Sequence, residues 1–387
     1  MFNFNRTLIY LKTVTPLSPN PNPLFHPYPS LFSLHFCTNT SDSISFAVSY
    51  LIHNFGFSPQ PASKLCSNYR LQFNTSQNPD SVLTFFRNHN FSHSQLRHIV
   101  EKATWLLSCN PSKRVLPKFQ FLLSKGASNS DIVNLVSKNP RVLSPSLKSH
   151  IVPTYELVYR FLQSDKDTLA CVFHNPSLLI EHIFSYNIRM LIENRVSDSN
   201  IARLLRVRSR TLSTLNLEKL LEELQGLGFD LSKIKFSIAL IAKTSVTKTR
   251  WKEKVDTFKK WGWSDEDVAE AFKKQPYCML TSIDKINLVM NFWVNQLGWD
   301  AMAIAKSPGI LLLSLEKRII PRAIVVQFLL DKGLRNMSAC LTSPFFVHEK
   351  MFLSKFIKCF ENESSYLLEL YEKKLNLAYT SDTTCMS

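Results

Sequence analysis

The sequence has little glycine, only 8 of 387 residues. Sheet-rich proteins usually need more turn glycines, so this scarcity favours an all-α fold. The eight cysteines are scattered and include no C-x-x-C pair, which favours reduced thiols over a secreted disulfide scaffold. Apolar runs such as 324–330, which is bounded by Arg322 and Asp331, are too short to cross a bilayer. We therefore expect an all-α protein without a membrane span.

Sequence signatures of common enzymes are also lacking. The chain contains no G-x-x-x-x-G-K-[ST], no G-x-G-x-x-G and no H-E-x-x-H. His89, His93 and His98 lie in a polar stretch, which is more typical of surface histidines than of a metal site. No carboxylate pair stands among residues that suggest acid–base catalysis. We expect a protein that is not an enzyme and that needs no metal or cofactor.

The first 41 residues contain no Asp or Glu, but they include Arg6, Lys12 and many Ser, Thr, Asn and Pro. This composition is typical of an organelle transit peptide, and a plain disordered tail is the alternative. The apolar, arginine-bearing start favours the mitochondrion, with the chloroplast as the alternative. We predict a transit segment at 1–45, helical repeats at 46–352, and a C-terminal helix and tail at 353–387.

Positive charge dominates the chain, with 46 Lys and Arg against 30 Asp and Glu and a net charge of +16. A charge this far from neutral favours binding to polyanions such as nucleic acids. The alternative is a basic transit peptide combined with solvated helix faces.

Six glycines recur at intervals near 35 residues or its multiples. The missing phases fall near 90, 162 and 195, where Asn90, Gln163 and the segment 194–198 provide turns. Aromatic residues beside these turns are expected to form the core between repeats, with base stacking as the alternative role. The six glycines are Gly56, Gly126, Gly228, Gly262, Gly298 and Gly333, and the aromatic residues are Phe57, Phe91, Phe229, Trp263 and Trp299.

A helix-capping signal follows each turn, as at Ser130-Asp131, Ser197-Asp198 and Ser264-Asp265. Prolines then recur in phase and end the capped helix, and a second set opens the next helix. About nine such units fit the chain, and stacking buries what one unit cannot, giving a solenoid with a concave surface. The first set is Pro140, Pro176, Pro276, Pro308 and Pro344, and the second is Pro117, Pro153 and Pro321.

The phrase KFQFLLSKG at 118–126, followed by DIVNLVSKNPRVL at 131–143, resembles the repeat of the mitochondrial transcription termination factor (mTERF) family. It recurs at 258–280 and 292–312, and the ending at 344–371 is similar too. The resemblance extends over 46–375, and the long, transit-bearing form is similar to the plant branch. Thr104 and Ser209 depart from the expected proline, as does Tyr69, and no proline stands near 244, so we expect the first and central units to be degenerate.

The resemblance implies a right-handed superhelix of three-helix units with a positively charged groove for nucleic acid. It also implies a role in organelle transcription termination, transcript processing or another step of gene expression.

Basic residues that could contact phosphate form two clusters and four smaller groups, beside the prolines or the helix openings. Arginine forks bind phosphate through two donors; the alternative is a solvated face in which Lys252 and Lys259 pair with Glu253 or Asp256. The first cluster is Arg203, Arg206, Arg208 and Arg210, and the second is Lys248, Arg250, Lys252, Lys254, Lys259 and Lys260. The smaller groups are Lys113, Arg114 and Lys118; Arg141 and Lys148; Lys273 and Lys274; and Arg318 and Arg322.

These observations predict a monomeric regulator of organelle gene expression that binds duplex DNA, RNA or both. Organelle transcription or RNA-processing proteins are candidate partners, and no membrane is involved. The alternative is a helical-repeat scaffold that binds a protein, for example in organelle ribosome assembly or RNA splicing.

Overall fold

The computed structural model describes residues 45–336 and 340–384, and in these ranges it contains helices and no strand. The predicted all-α helical-repeat fold is confirmed. The predicted transit segment lies, apart from Ser45, outside the described residues. The α-helices are α1 (Phe46–Phe55), α2 (Pro59–Asn68), α3 (Gln77–Asn88), α4 (His93–Lys102), α5 (Pro111–Arg114), α6 (Leu116–Ser124), α7 (Asn129–Lys138), α8 (Val152–Leu162), α9 (Asp165–His174), α10 (Ile183–Glu193), α11 (Asp198–Arg208), α12 (Leu217–Gly226), α13 (Ile234–Ser245), α14 (Lys248–Lys260), α15 (Asp265–Lys274), α16 (Ile283–Met290), α17 (Ala301–Lys306), α18 (Ile320–Asp331), α19 (Ser343–Phe346), α20 (Glu349–Leu353) and α21 (Ser364–Thr384).

Short 3₁₀ and π-helical segments connect these helices. The 3₁₀ segments are Thr104–Ser108, Pro140–Leu143, Pro176–Leu179, Ser209–Ser213, Pro276–Leu280 and Pro308–Leu312. The π-helical segments are Leu147–Ile151, Asn291–Gln296, Leu315–Ile319 and Ser354–Lys358.

Left-handed turns set the repeat. All six predicted glycines have positive φ, and so do Asn90, Gln163 and Arg195 at the three phases that lack glycine. These nine turns are spaced 32–37 residues apart, so the predicted phase is confirmed. Each of the first eight turns joins a first helix to a second helix, and together they form one unit; the turn at Gly333 follows the first helix α18. Arg70, which follows α2, also has positive φ but is out of phase.

Serine caps begin the second helices. Ser128, Ser197 and Ser264 each accept a hydrogen bond from a backbone amide in the first turn of the helix that follows, which satisfies an otherwise unpaired donor. Capping at Ser197 and Ser264 is therefore confirmed. The prediction was wrong for Ser130, because Ser128 is the cap of α7 and Ser130 only contacts its hydroxyl at 2.8 Å.

Proline ends the second helices as predicted, because 3₁₀ segments begin at Pro140, Pro176, Pro276 and Pro308. The units with Thr104 and Ser209 form the same segment without proline. At Thr104 the hydroxyl donates to the carbonyl of Val100 at 2.7 Å, which satisfies a carbonyl at the end of α4. Among the described units, α2 and α13 are the only second helices without a 3₁₀ segment after them, and neither has a proline in phase.

Neighbouring units share apolar cores. Buried apolar residues between Val158 and Phe345 form one continuous cluster, and those between Ala47 and Leu169 form another. The aromatic residues predicted for this core are all buried, and Trp263 stacks on Phe258 with ring centroids 4.5 Å apart. Because each unit borrows apolar surface from the next, the units stabilise one another.

The second helices pack side by side, and the segments that follow them also meet. Contacts join α4 to α7, and α9, α11, α13, α15 and α17 in succession. Hydroxyl groups link the C-terminal parts of consecutive units. The oxygens lie 3.5 Å apart in Ser177–Ser213, where both residues are in 3₁₀ segments, 2.9 Å in Thr211–Thr244, where Thr244 is in the last turn of α13, and 2.9 Å in Ser307–Thr342, which precede Pro308–Leu312 and α19. We call this row of segments, at the C-terminal ends of the second helices, the turn edge.

Candidate nucleic-acid interface

A cleft of about 610 Å³ opens on the turn edge between α9 and the end of α11. Three of the four arginines of the first predicted cluster line it: Arg206, Arg208 and Arg210. Asp167 and His174 of α9 face them across the cleft. We call this concavity the arginine cleft.

Helical periodicity explains why these arginines point outwards. Leu204 and Leu205 of α11 and Leu212 of the next segment are buried in the core, as are Ser209 and Thr211. The three arginines occupy the positions between them that face solvent. All three arginines of the cleft are exposed, whereas Arg203 is half-buried and does not line it. The predicted cluster is therefore split into three cleft residues and one that lies apart.

One of the three arginines is already engaged. The Arg206 guanidinium donates to the Leu162 carbonyl at 3.3 Å, and its Nε lies 3.7 Å from the Asp167 carboxylate. Arg208 and Arg210 make no ion pair with any residue in the described ranges. Two exposed guanidinium groups thus keep their donors available, which suits a polyanionic ligand.

The remaining polar groups of the cleft are held by the backbone. The Cys171 thiol donates to the Leu205 carbonyl at 3.5 Å, and burial raises its pKa to about 11. The thiol is therefore protonated at neutral pH and offers no thiolate nucleophile. His174 Nδ1 lies 2.8 Å from the Ala170 carbonyl oxygen. Sequence reasoning missed Asp167, Cys171 and His174 because they come from the preceding unit.

The second predicted cluster lies on α14 and adjoins the arginine cleft. The Thr211–Thr244 contact joins the residue after Arg210 to a residue four positions before Lys248. The N-terminal end of α14, with Lys248, therefore lies near the arginine cleft, whereas Lys259 and Lys260 lie at the other end of the helix, beside the Gly262 turn.

Within the second cluster, some cations are paired and others are not. Arg250 pairs with Glu253 and Lys259 with Asp265, both at 2.8 Å, so the expected neighbours Glu253 and Asp256 are not the partners of Lys259. Lys248, Lys252 and Lys260 are exposed and make no ion pair with any described residue.

Three predicted contact residues need correction because their charged ends are inside the protein. Lys118, Lys254 and Arg322 are 5%, 4% and 1% exposed. The lysine ammonium groups donate to the carbonyls of Leu143 and Thr281. Their donors are already used by the backbone, so we assign these residues a structural role and not phosphate contact.

Arg322 makes the largest set of internal bonds. It donates to the carbonyls of Pro344 and Val347 and to the Glu349 carboxylate, each at 2.8 Å. Half-buried Arg318 also donates to Val347 O at 2.8 Å, and to Phe345 O at 2.9 Å. Arg322 of α18 and Arg318 of the preceding π-helical segment both bind the chain just before α20, which leaves little of either for an external ligand.

The other predicted groups are more accessible. Lys113 and Arg114 border a cleft of about 370 Å³, where Arg114 lies 4.4 Å from the Trp105 ring centroid and donates to Ser144 O at 3.4 Å. Lys273 is half-buried and lies 3.9 Å from Glu270. Three further residues are exposed to solvent: Arg141, Lys148 and Lys274.

Neither a metal-binding cluster nor a membrane span occurs in the described part of the chain. In residues 45–336 and 340–384, no three His, Cys, Asp or Glu side chains gather where they could hold a metal ion. Over those same residues, no helix combines the length and the apolar character that crossing a bilayer requires.

Comparison with protein families gives a match. A family model described as mTERF matches residues 83–243 and 230–353, which together span well over half of the 387-residue chain. The match includes the arginine cleft and the whole of α14 but not α1, α2 or α21. No curated protein matches the chain.

Proposed function

The chain belongs to the mTERF family of organelle-associated, helical-repeat, nucleic-acid-binding proteins, and from this premise we propose that it regulates organelle gene expression by binding duplex DNA or RNA. Transcription termination or another form of transcription regulation is the role proposed. The protein acts as a monomer, without a membrane, beside organelle transcription or RNA-processing proteins.

The arginine cleft carries the proposal. Arg208 and Arg210 are exposed and lack ion pairs among the described residues, and Lys248 follows them on the turn edge through the Thr211–Thr244 contact. Unpaired guanidinium and ammonium groups in a row release condensed counterions when they meet a phosphate backbone. Leu205 and Val207 add apolar surface to the lining of the cleft.

Protein binding is the second candidate, and one observation favours it. Leu280 and Leu312 end two consecutive segments of the turn edge, and Phe346 ends α19 in the following unit; they are 37%, 38% and 48% exposed. Exposed apolar side chains in a row are typical of protein interaction sites. This scaffold would serve organelle ribosome assembly or RNA splicing.

A salt titration separates the two candidates. Full-length protein is mixed with labelled duplex DNA, duplex RNA and single-stranded RNA, and the association constant is measured as ionic strength rises. Nucleic-acid binding through several phosphates predicts a steep linear fall of log K with log salt, with a slope of about −0.9 per contact on duplex DNA. No binding, or binding that salt leaves unchanged, would reject the proposal in favour of the scaffold.

The proposed compartment is the mitochondrion, with the chloroplast as the alternative. The absence of Asp and Glu from residues 1–41 supports import into an organelle. We expect residues 1–45 fused to a fluorescent reporter to direct it into mitochondria. Plastid import would establish the alternative, and retention in the cytosol would refute an N-terminal transit signal.

A further inference from the structure

The second helices end on a basic residue in six units. The final residue is Lys102 in α4, Lys138 in α7, His174 in α9, Arg208 in α11, Lys274 in α15 and Lys306 in α17. All six are exposed, and none forms an ion pair with a described residue. We call these six residues the basic column. Only Arg208 and Lys274 belong to the contacts considered above.

The packing places the basic column on one side of the molecule. Arg208 directly precedes its 3₁₀ segment of the turn edge, and each of the other members stands two positions before its own segment. Because the second helices pack side by side and their segments touch, the column follows the edge. Packed helices lie 8–10 Å apart, so we expect about 10 Å between neighbouring members in directly packed helices.

Helix stability alone does not explain this pattern. A cation at a helix C-terminus gains about 0.3–1 kcal/mol from the helix dipole, and that gain is available to every helix. Five of the nine first helices do not use it, because α6, α10, α12, α16 and α18 have no basic residue in their last turn. Of the other four, α1, α3 and α8 carry His53, Arg87 and Arg160 in the last turn but do not end on them. Among first helices of the described units, only α14 ends on a basic residue, Lys260. The cations are therefore concentrated at the turn edge.

The arginine cleft lies within the basic column, because His174 and Arg208 belong to the cleft and to the column. Lys102 and Lys138 lie in preceding units, and Lys274 and Lys306 lie in following ones. A polyanion bound in the cleft would meet further cations in both directions.

We propose that the basic column is a phosphate-binding track, in which five repeats supply a lysine or an arginine, and one supplies His174, to the backbone of a nucleic acid that passes through the arginine cleft. The helix α13, which lies between those of Arg208 and Lys274, ends on Ser245 and supplies none. The track reads no sequence, since phosphate contacts position a nucleic acid without specifying its bases. This inference rests on the proposed function and extends it from the cleft to Lys102, Lys138, His174 and Lys306.

The test removes three column charges outside the cleft and compares them with three matched charges elsewhere. The column variant is Lys102→Gln, Lys138→Gln and Lys306→Gln in one full-length protein. The control is Lys166→Gln, Lys219→Gln and Lys235→Gln, which removes the same charge near the N-terminal ends of α9, α12 and α13, where these lysines are also exposed. Salt dependence is measured with duplex DNA, duplex RNA and single-stranded RNA, and folding is checked by circular dichroism.

We expect the slope of log K against log salt to fall by roughly 2.7 on duplex DNA, or about 2.1 on a single strand, in the column variant only. A loss confined to one nucleic acid would identify which one follows the track. A folded column variant with the wild-type slope would overturn the track while leaving cleft binding intact, and equal losses in both variants would overturn it as well. Failure of the wild-type protein to bind any of the three would instead reject the proposed function.

Discussion

At the residue scale, a polar side chain recurs inside the units. Lys118, Asn187 and Lys254 each stand eight residues before a left-handed turn, at Gly126, Arg195 and Gly262. The lysines donate to carbonyls at the end of the 3₁₀ segment, and Asn187 donates to Leu212 O and Thr214 O at 2.9 Å each. These hydrogen bonds connect the first helix to the C-terminal segment of its own unit.

The sequence did contain a signal for this burial. Apolar residues stand three before, one after and four after each of the two lysines: Val115, Phe119 and Leu122 around Lys118, and Trp251, Val255 and Phe258 around Lys254. That spacing places the lysines on the apolar face of their helices. Their carbonyl partners lie 25 and 27 residues away in the sequence. The role of these lysines therefore depends on tertiary contacts, which a count of local charges does not include.

Replacement of Lys118 by Met should change how stability depends on pH. Burial, followed by the nearby Arg114, lowers the pKa of Lys118 from 10.5 to about 8. Between those values the unfolded chain binds more protons, so wild-type stability gains from this group as pH rises. We expect urea unfolding to show that the difference in unfolding free energy between wild type and Lys118→Met shifts in favour of wild type by roughly 2 kcal/mol between pH 7.5 and 9.5. A stability difference that stays constant over that range would contradict the assignment.

Loss of Arg322 should destabilise the C-terminal part of the repeat array. The variant Arg322→Leu leaves the Pro344 carbonyl and one Glu349 carboxylate oxygen without their donor, while Val347 O keeps its bond from Arg318. Because the Glu349 side chain is about half-exposed, the expected cost is that of the lost hydrogen bonds, about 1–3 kcal/mol. Urea unfolding should show that loss, whereas Lys350→Ala, an exposed neighbour, should stay within about 0.5 kcal/mol of wild type. Equal small effects would mean that Arg322 is not a structural residue.

At the element scale, the sequence predicted the spacing of the turns, but not that some units keep their 3₁₀ segment without a proline. The glycine interval located the left-handed turns, including the ones formed by Asn90, Gln163 and Arg195. The 3₁₀ segments at Thr104 and Ser209 were not expected to keep their form without proline, yet they do. Packing of Leu106, Leu107 and Leu212 in the core fixes those segments, so the neighbouring units compensate for the missing residue.

Exchanging residues at two of these turns should shift stability in opposite directions. Gly262 has φ +88, and no atom lies within 4 Å of the place that an alanine Cβ would take, so Gly262→Ala meets backbone strain and not a clash. Arg195 already bears that strain, at φ +58. We expect Gly262→Ala to lose about 1 kcal/mol and Arg195→Gly to gain up to about 1 kcal/mol. Thermal unfolding measures both, and a loss in both variants would contradict the argument.

At the scale of the whole molecule, positive charge and fold meet on the turn edge. The sequence showed the excess positive charge and a repeat that would place basic residues in a row. In the structure, the Thr211–Thr244 contact brings the start of the second basic cluster near the arginine cleft. What the sequence could not show was which cations remain available. Asp167 engages Arg206 from 39 positions away, a pairing that only the stacking of consecutive units creates.

The most direct measurement of the central claim is the salt dependence of binding after charge reversal in the arginine cleft. The variant Arg208→Glu with Arg210→Glu is compared with Arg160→Glu and Arg189→Glu, which reverses two exposed arginines on the first helices α8 and α10. If both cleft arginines contact phosphate, the slope of log K against log salt on duplex DNA should fall by roughly 1.8, with a loss of affinity that is similar for unrelated sequences. The control should keep the wild-type slope. A cleft variant that stays helical and binds with the wild-type affinity and slope would contradict the account.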